Sequence, residues 1–414
     1  MSTVSQKLDE VIHDLAVVEV DSARPQFKSD KLLAKLKSMG TELWIDTGEL
    51  EKARAIWKQE LTALTTNNTL ANQVVQSGVM DDVIRETAGK VREVASDLSE
   101  DELVTEIGFV INCRIALRLV QAFKEKVSVE LHPAMSRDIE RTVQYGRRYF
   151  KVCPEYFNIK VPLTPEGYLA VRKLSREGMP VNFTLGFSAR QNYLAARLSN
   201  PAYVNVFLGR LNQVVIDNSL GNGELVGEKV TLATQEAIRE ARQKFSEVTT
   251  KLIGASIRNG GQVRFLAGMD VQTIPPKAMH EFLDSGIDPD SLTDNIGTAI
   301  EPGIDSSPEI KSRFSILWEV PDSFKRFVDD LLKEDKLDEF AGGDLEKFCK
   351  DRGVNLFHDF SQEDFRKIYD HGKIPRLADW PESVALDDLM TQSALQSFTK
   401  DQDALDERIR SFLK

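Results

Sequence analysis

Short apolar runs alternate with amphipathic helical patterns along most of the chain. Between residues 41 and 284, eight runs with β-branched residues have the length of buried strands, and helical spacings such as those at 165–177 and 189–198 separate most of them. Strands that alternate with helices are joined by crossover connections and therefore run parallel. The predicted strands are 43–45, 61–64, 127–131, 158–163, 181–185, 203–208, 252–257 and 271–274.

This number of strand–helix units in a segment of this length predicts a (β/α)8 barrel. A doubly wound open sheet is the alternative, but its first strand is usually followed by a glycine-rich phosphate loop, and the sequence DTGE at 46–49 is not such a loop. Active sites of parallel barrels lie at the carboxyl ends of the strands. The polar residues at those ends are therefore the candidates for chemistry.

The segments on either side of the predicted barrel have different patterns. Residues 1–40 show helical apolar spacing that is interrupted at Arg24 and Pro25, which predicts a helical arm. After residue 284 the chain is rich in loops until amphipathic helices begin near Ser323 and Leu345. The predicted division is an N-terminal helical arm at 1–40, a catalytic barrel at 41–284, a helical and loop extension at 285–385, and a C-terminal helix at 386–414 that packs on the barrel.

The acidic composition and the few cysteines narrow the class of protein. The chain has 53 Lys and Arg against 65 Asp and Glu, a net charge of −12, which argues against nucleic acid and anionic membranes as partners. No run approaches the roughly 20 apolar residues of a spanning helix, and the first residues lack the pattern of a signal peptide. Three distant cysteines predict reduced thiols in a cytoplasmic protein, with neither a disulfide scaffold nor a cysteine-rich zinc site.

Lys160 interrupts the apolar run of the fourth predicted strand. If Ile159 and Val161 face the helices, the alternation of a strand turns Lys160 into the barrel. An ammonium group is costly to desolvate there, which favours the neutral amine, and a neutral amine attacks carbonyl groups to form a Schiff base. The alternative is an edge lysine whose charged end reaches water.

Acids and guanidinium groups follow other predicted strands. Asp46 and Glu130 are candidates for proton transfer, and a helix cap or a salt bridge is the alternative for each. Arg210 and Arg258 follow the sixth and seventh strands, where barrels often hold phosphate, although each could form a surface ion pair. His132 has no partner histidine at ligand spacing, so we expect no metal site there.

Several motifs along the chain match, in the same order, those of one enzyme family. They are LWIDTGEL at 43–50, TTNNTL at 65–70, VSVE at 127–130, NIKVPLTPEG at 158–167, VNFTLGFS at 181–188, FLGR at 207–210 and GASIRN at 254–259, followed by a last helix at 389–413. Through these motifs the chain resembles the transaldolases over about 41–284 and 386–413.

The resemblance implies a role for each matching position. Lys160 would form the imine with the ketose donor, and Glu130 and Thr184 would hold a catalytic water for proton transfer. Asp46 would take the hydroxyl proton during carbon–carbon cleavage and return it on addition. The remaining matches would bind substrate, with Asn67, Asn182, Asn205 and Phe207 at the donor and Arg210, Ser256 and Arg258 at the phosphate.

The resemblance also implies the reaction. A dihydroxyacetone unit would move from a ketose phosphate, of the sedoheptulose 7-phosphate or fructose 6-phosphate type, to an aldose phosphate in the pentose phosphate pathway. Such enzymes need no metal or organic cofactor, and this chain would act as a monomer or homodimer on phosphosugars.

Departures from the family pattern leave the donor open. Asn68 stands where the family usually has proline, and Asn205 with Val206 replaces a usual Ser-Pro pair. The alternatives are an enzyme like fructose 6-phosphate aldolase that releases dihydroxyacetone, a transaldolase for another ketose such as a sulfonated sugar, and a barrel retained as a non-catalytic binding protein.

Overall fold

The computed structural model describes residues 3–414, which fold around a closed barrel of parallel strands. Neighbouring strands pair in chain order, and the first strand also pairs with the eighth, so the barrel closes. The (β/α)8 fold predicted from the sequence is therefore confirmed. The strands are β1 Glu42–Asp46, β2 Leu61–Thr65, β3 Lys126–Glu130, β4 Phe157–Pro162, β5 Val181–Thr184, β6 Tyr203–Phe207, β7 Lys251–Ala255 and β8 Val271–Ile274.

Helices surround the barrel and make up most of the segments before and after it. The α-helices of residues 3–414 are α1 Thr3–Ala16, α2 Lys31–Ser38, α3 Leu50–Ile56, α4 Asn68–Gln76, α5 Asp81–Val94, α6 Glu100–Phe123, α7 Ile139–Val152, α8 Pro165–Arg176, α9 Ala189–Leu194, α10 Leu208–Asp217, α11 Val226–Lys244, α12 Gly260–Phe265, α13 Pro276–Leu283, α14 Pro308–Ser315, α15 Asp322–Leu331, α16 Gly342–Asp351, α17 Gln362–His371 and α18 Leu386–Arg410. A π-helical turn, Ala195–Ser199, continues α9.

The turn from β4 to α8 shows how local sequence fixes the strand that carries Lys160. The Thr164 hydroxyl accepts a hydrogen bond from Gly167 N at 2.9 Å and so caps α8, and Pro165 occupies the first helical turn. A Cβ at Gly167 would lie 2.3 Å from the carbonyl oxygen of Pro162, so only glycine allows this close approach of helix and strand. The end of β4 is thus rigidly placed.

The N-terminal arm has a longer break than the sequence predicts. Helix α1 ends at Ala16 and α2 begins at Lys31, and the chain between them is not helical. β-branched Val17 and Val18 disfavour the helix, and Pro25 cannot donate a helical hydrogen bond. Helix α1 packs on α5 and α6, while the Asp30 side chain caps α2.

The extension and the last helix pack against the barrel. Helix α16 lies on α8, and α17 and α4 lie on α18. Arg190, on α9, forms an ion pair of 2.7 Å with the fully buried Asp387 at the start of α18, and it also donates a hydrogen bond to the carbonyl oxygen of Asn355 in the extension. Within residues 3–414, no helix has an apolar stretch long enough to cross a membrane.

Candidate active site

A cavity of about 160 Å³ opens at the carboxyl ends of the barrel strands. It brings together nine of the eleven side chains that the sequence singled out, and the other two, Glu130 and Thr184, are buried at the ends of β3 and β5. The nine are Asp46, Asn67, Lys160, Asn182, Asn205, Phe207, Arg210, Ser256 and Arg258.

The strand register explains why these residues meet. Glu130 on β3 pairs with Lys160 on β4, and Lys160 pairs with Asn182 on β5, so the three lie at one level of the barrel. Asp46 at the end of β1 pairs in the same way with Thr65 on β2. Because paired residues of adjacent strands share a face, residues far apart in sequence form one polar layer.

Lys160 and Glu130 form a buried ion pair. The Lys160 Nζ lies 3.1 Å from Glu130 Oε2 and donates a 2.9 Å hydrogen bond to the carbonyl oxygen of Thr66. The two side chains are 4% and 2% exposed. Burial raises the pKa of Glu130 above its ordinary value, and the charge of Lys160 partly offsets this rise. The raised pKa makes the Glu130 carboxyl group a better proton acceptor than an exposed glutamate.

Asp46 faces the cavity from the first strand. Its Oδ1 accepts a 2.7 Å hydrogen bond from the Thr65 hydroxyl, which in turn lies 2.6 Å from the Thr273 hydroxyl. Burial raises the pKa of Asp46, whereas the charges of Lys160 and Arg258 act in the opposite direction. The cavity therefore contains a second carboxyl group of raised pKa, which interacts electrostatically with the Lys160–Glu130 pair.

A chain of side-chain amides forms one side of the site. Asn205 Nδ2 donates to Asn182 Oδ1, and Asn182 Nδ2 donates to the Ser128 hydroxyl, each at 3.2 Å. A Cβ at Gly186 would lie 2.3 Å from the Asn205 carbonyl oxygen, so the loop after β5 needs glycine to approach this closely. The amide that departs from the family pattern at 205 is thus held by its neighbours in a fixed orientation.

Two arginines without carboxylate partners also line the cavity. Arg210, in the first turn of α10, is 7% exposed, and burial together with the nearby charge of Arg258 lowers the pKa of Arg210 to about 10. Neither arginine has a carboxylate within 4.0 Å in residues 3–414. Ser256, beside them, has a left-handed backbone with φ of 62°, which costs a non-glycine residue free energy. Unpaired guanidinium groups at this place suit an anionic ligand.

Sequence reasoning missed several residues that line the same cavity. Thr65 and Thr273 stand at strand ends and could have been found by the rule that selected the others. Phe398 on α18 and Lys373 in the extension carry no such local signal, because only tertiary packing brings them to the barrel.

Asn68, which stands where the family usually has proline, is held in place by a hydrogen bond. Its Nδ2 donates a 2.9 Å hydrogen bond to Gln402 Oε1 on α18, and the neighbouring Thr69 hydroxyl bonds to Asp401. These hydrogen bonds hold α18 against the segment that follows β2. Within the described chain, 3–414, no three His, Cys, Asp or Glu side chains are grouped so that they could hold a metal ion.

Comparison with known proteins agrees with this geometry. The family model described as transaldolase/fructose-6-phosphate aldolase matches residues 43–334. A probable transaldolase of Thermus thermophilus is 32% identical over 246 residues, 58% of this chain and 90% of the relative. Transaldolases of Kluyveromyces lactis and Nostoc punctiforme are 28% and 26% identical, over 64% and 79% of this chain and 79% and 97% of the relatives. The chain therefore belongs to the transaldolase/fructose-6-phosphate aldolase family, and it is a transaldolase-type enzyme that transfers ketone-containing groups.

Proposed function

We propose that this enzyme transfers a dihydroxyacetone unit between phosphosugars through a Schiff base on Lys160. The observation that carries the proposal is the position of the Lys160 amine. It is buried at the carboxyl end of a barrel strand, beside a carboxyl group, in a cavity that also contains two unpaired arginines. A lysine in this setting can act as a nucleophile toward a ketone, and the arginines can bind the phosphate of the same molecule.

Imine formation needs proton transfer at the amine and at the carbonyl oxygen. The Lys160 amine adds to C2 of the ketose, and the resulting hydroxyl leaves as water once it is protonated. Glu130, 3.1 Å from Nζ, can accept and return these protons. Glu130 Oε1 and the Thr184 hydroxyl have no hydrogen-bond partner in the described protein, which supports their role in holding a catalytic water.

Carbon–carbon cleavage then needs a base at the C4 hydroxyl. Asp46 takes that proton, the C3–C4 bond breaks, and the electron pair of the bond moves into the imine to give an enamine. The aldose phosphate leaves, and an acceptor aldehyde reacts in the reverse sense and regains the proton from Asp46. The raised pKa of Asp46 supports this two-way role, because a carboxyl group of raised pKa both accepts and donates protons readily.

The polar residues of the cavity are assigned to two parts of the substrate. Asn67, Asn182 and Asn205 with Phe207 bind the dihydroxyacetone portion, while Arg210, Ser256 and Arg258 bind the phosphate at the other end. Asn205, held by Asn182, presents an amide where the family usually has a hydroxyl, so the donor is to be identified with a panel of ketoses that includes fructose 6-phosphate.

Borohydride reduction of the imine tests the proposal. The wild-type enzyme with fructose 6-phosphate should acquire a permanent adduct on the peptide that contains Lys160, found by mass spectrometry, and Lys160→Ala should acquire none. Lys124→Ala is the matched control, because Lys124 is equally buried, with a 4% exposed side chain, and pairs with Asp21 at 3.0 Å outside the site.

Two results would contradict parts of the proposal. Trapping at full level in Lys160→Ala would remove Lys160 from the reaction. Rapid release of free dihydroxyacetone without an acceptor, measured in a coupled assay, would identify an aldolase instead of a transferase. A ketose panel in the same trapping assay identifies the donor.

A further inference from the structure

Lys373 enters the active-site cavity from outside the barrel. It belongs to the extension at 285–385, yet it lines the same cavity as Arg210 and Arg258. We propose that Lys373 is a substrate-binding residue that joins the two arginines in contacting the terminal phosphate of the phosphosugars. This inference rests on the proposed function and assigns the extension a part in recognising substrate.

The backbone around Lys373 is firmly held. Helix α17 ends at His371, and Gly372, between the helix and Lys373, adopts φ of 82° and ψ of −142°, a conformation that glycine accepts and other residues avoid. Two residues further on, the Pro375 carbonyl oxygen accepts a 3.0 Å hydrogen bond from Asn218 Nδ2, and Leu377 N donates to Asn218 Oδ1 at 2.7 Å. The segment is therefore fixed on both sides of the lysine.

Asn218 connects this segment to the helix that carries Arg210. Helix α10 begins at Leu208, directly after β6, with Arg210 in its first turn, and Asn218 is the residue that ends the helix. One rigid helix thus places Arg210 in the cavity with its first turn and holds the Lys373 segment with its last. The two cations are positioned by the same element, although one comes from the barrel and the other from the extension.

The charges around the cavity support an anionic ligand for Lys373. Other lysines of the extension have carboxylate partners, such as Lys333 with Asp330 at 3.0 Å and Lys347 with Asp351 at 2.9 Å. Lys373 has none within 4.0 Å in residues 3–414.

Three cations that have no carboxylate within 4.0 Å in residues 3–414 therefore line one cavity. Burial, and after it the like charge of Arg258, lowers the pKa of Arg210. A phosphate monoester carries about −1.5 to −2 charges near pH 7 and relieves this repulsion when it binds.

The exposure of Lys373 indicates which kinetic constant it controls. Lys373 is exposed to solvent at the opening of the cavity, whereas Lys160 is buried inside it. Charges at the edge of a binding site mainly affect capture of the ligand and its dependence on salt. A residue that holds the phosphate equally in the bound substrate and in the transition state changes KM and leaves kcat unchanged.

The test compares Lys373→Gln with Lys336→Gln. Lys336 is an exposed lysine of the same extension that does not line the cavity, so the control makes the same change of charge. Lys373→Gln should raise KM for fructose 6-phosphate and the inhibition constant of inorganic phosphate about threefold to tenfold, with kcat within about twofold. Trapping of unphosphorylated dihydroxyacetone should not change, and Lys373→Arg should restore phosphate binding.

The outcomes separate this inference from the proposed function. If wild-type enzyme transfers the ketose fragment but the two glutamine variants have the same KM and phosphate inhibition, Lys373 does not bind substrate. A fall in kcat with unchanged KM would also overturn the inference. If the wild type shows neither trapping nor transfer, calorimetric titration with inorganic phosphate still tests Lys373, and equal affinity in both variants would exclude it.

Discussion

Replacing Arg210 with methionine should stabilise the unliganded protein while abolishing its affinity for phosphate. Arg210 is 7% exposed and has no carboxylate within 4.0 Å, and its Nη1 has no hydrogen-bond partner in the described chain. Folding lowers the pKa of this guanidinium to about 10, chiefly because burial removes it from water. A free charge in this position disfavours the folded state.

The size of the effect follows from the shift in pKa. At about 1.36 kcal/mol for each tenfold loss of proton affinity, the lowered pKa corresponds to a cost on the order of 3 kcal/mol for keeping Arg210 charged in the folded protein. Because the pKa is lowered, the group is protonated in both states below about pH 10, so the full cost is present at neutral pH and is lost only above that value.

The expected gain in stability is smaller than the full cost. The guanidinium lies 5.8 Å from the ring centroid of Phe207 and 5.5 Å from that of Phe398, and these contacts are lost on substitution. Allowing about 1–2 kcal/mol for them, Arg210→Met should raise the free energy of unfolding by about 1–2 kcal/mol.

Urea and thermal unfolding at neutral pH, with and without inorganic phosphate, measure both effects. Phosphate should stabilise the wild type by mass action and leave Arg210→Met unchanged. Arg190→Met is the matched control, because Arg190 is also buried but pairs with the fully buried Asp387 at 2.7 Å. Its loss should destabilise the protein by about 3–5 kcal/mol. If Arg210→Met also lowered stability by several kcal/mol, the reasoning from its unpaired charge would be refuted.

Two further substitutions test proton transfer by Asp46 and the close packing of Gly209 on the segment that carries Ser256 and Arg258. Asp46→Asn should reduce turnover about 100-fold or more, while borohydride trapping persists. Because burial raises the pKa of Asp46, the acid limb of the wild-type kcat profile should lie above the pH at which an exposed aspartate titrates, and an unchanged limb in the variant would contradict this assignment. Gly209→Ala places a Cβ 2.2 Å from the Ser256 carbonyl oxygen and 2.5 Å from Arg258 Nε, so phosphate affinity and the unfolding midpoint should fall. Gly343→Ala meets nothing within 4 Å and serves as the control, and equal midpoints for the two variants would argue against this close contact.

Local signals in the sequence are sufficient to predict the barrel. The fourth strand, predicted at 158–163, is found at Phe157–Pro162, because an apolar run, a capping threonine and a first-turn proline all act within a few residues. Once the strands are placed, the rule that parallel barrels carry chemistry at their carboxyl ends leads to Lys160, Glu130 and Asp46. Their roles as nucleophile and acid or base groups stay predictions.

Other parts of the site depend on contacts that no local pattern encodes. Phe398 and Lys373 reach the cavity only because α18 and the extension fold back over the barrel. The sequence places Glu130 and Thr184 at strand ends but does not show that their side chains lie outside the lining of the cavity, since this depends on how the barrel interior is filled. In the arm, helical spacing extends across a segment where β-branched residues and Pro25 break the helix.

The contacts of α18 with the barrel also determine when, during synthesis of the chain, the active-site cavity can be complete. The hydrogen bond from Asn68 to Gln402 joins residues 334 positions apart, and α18 brings Phe398 to the cavity. At translation rates of about 5–20 residues per second, the ribosome adds Gln402 on the order of 20–60 s after Asn68. Strands β1 and β2 precede Asn68 in the chain, and β3 to β8 are synthesised within that interval. A nascent chain can therefore fold its barrel while its cavity still lacks one side, and the cavity is complete only once α18 has been synthesised.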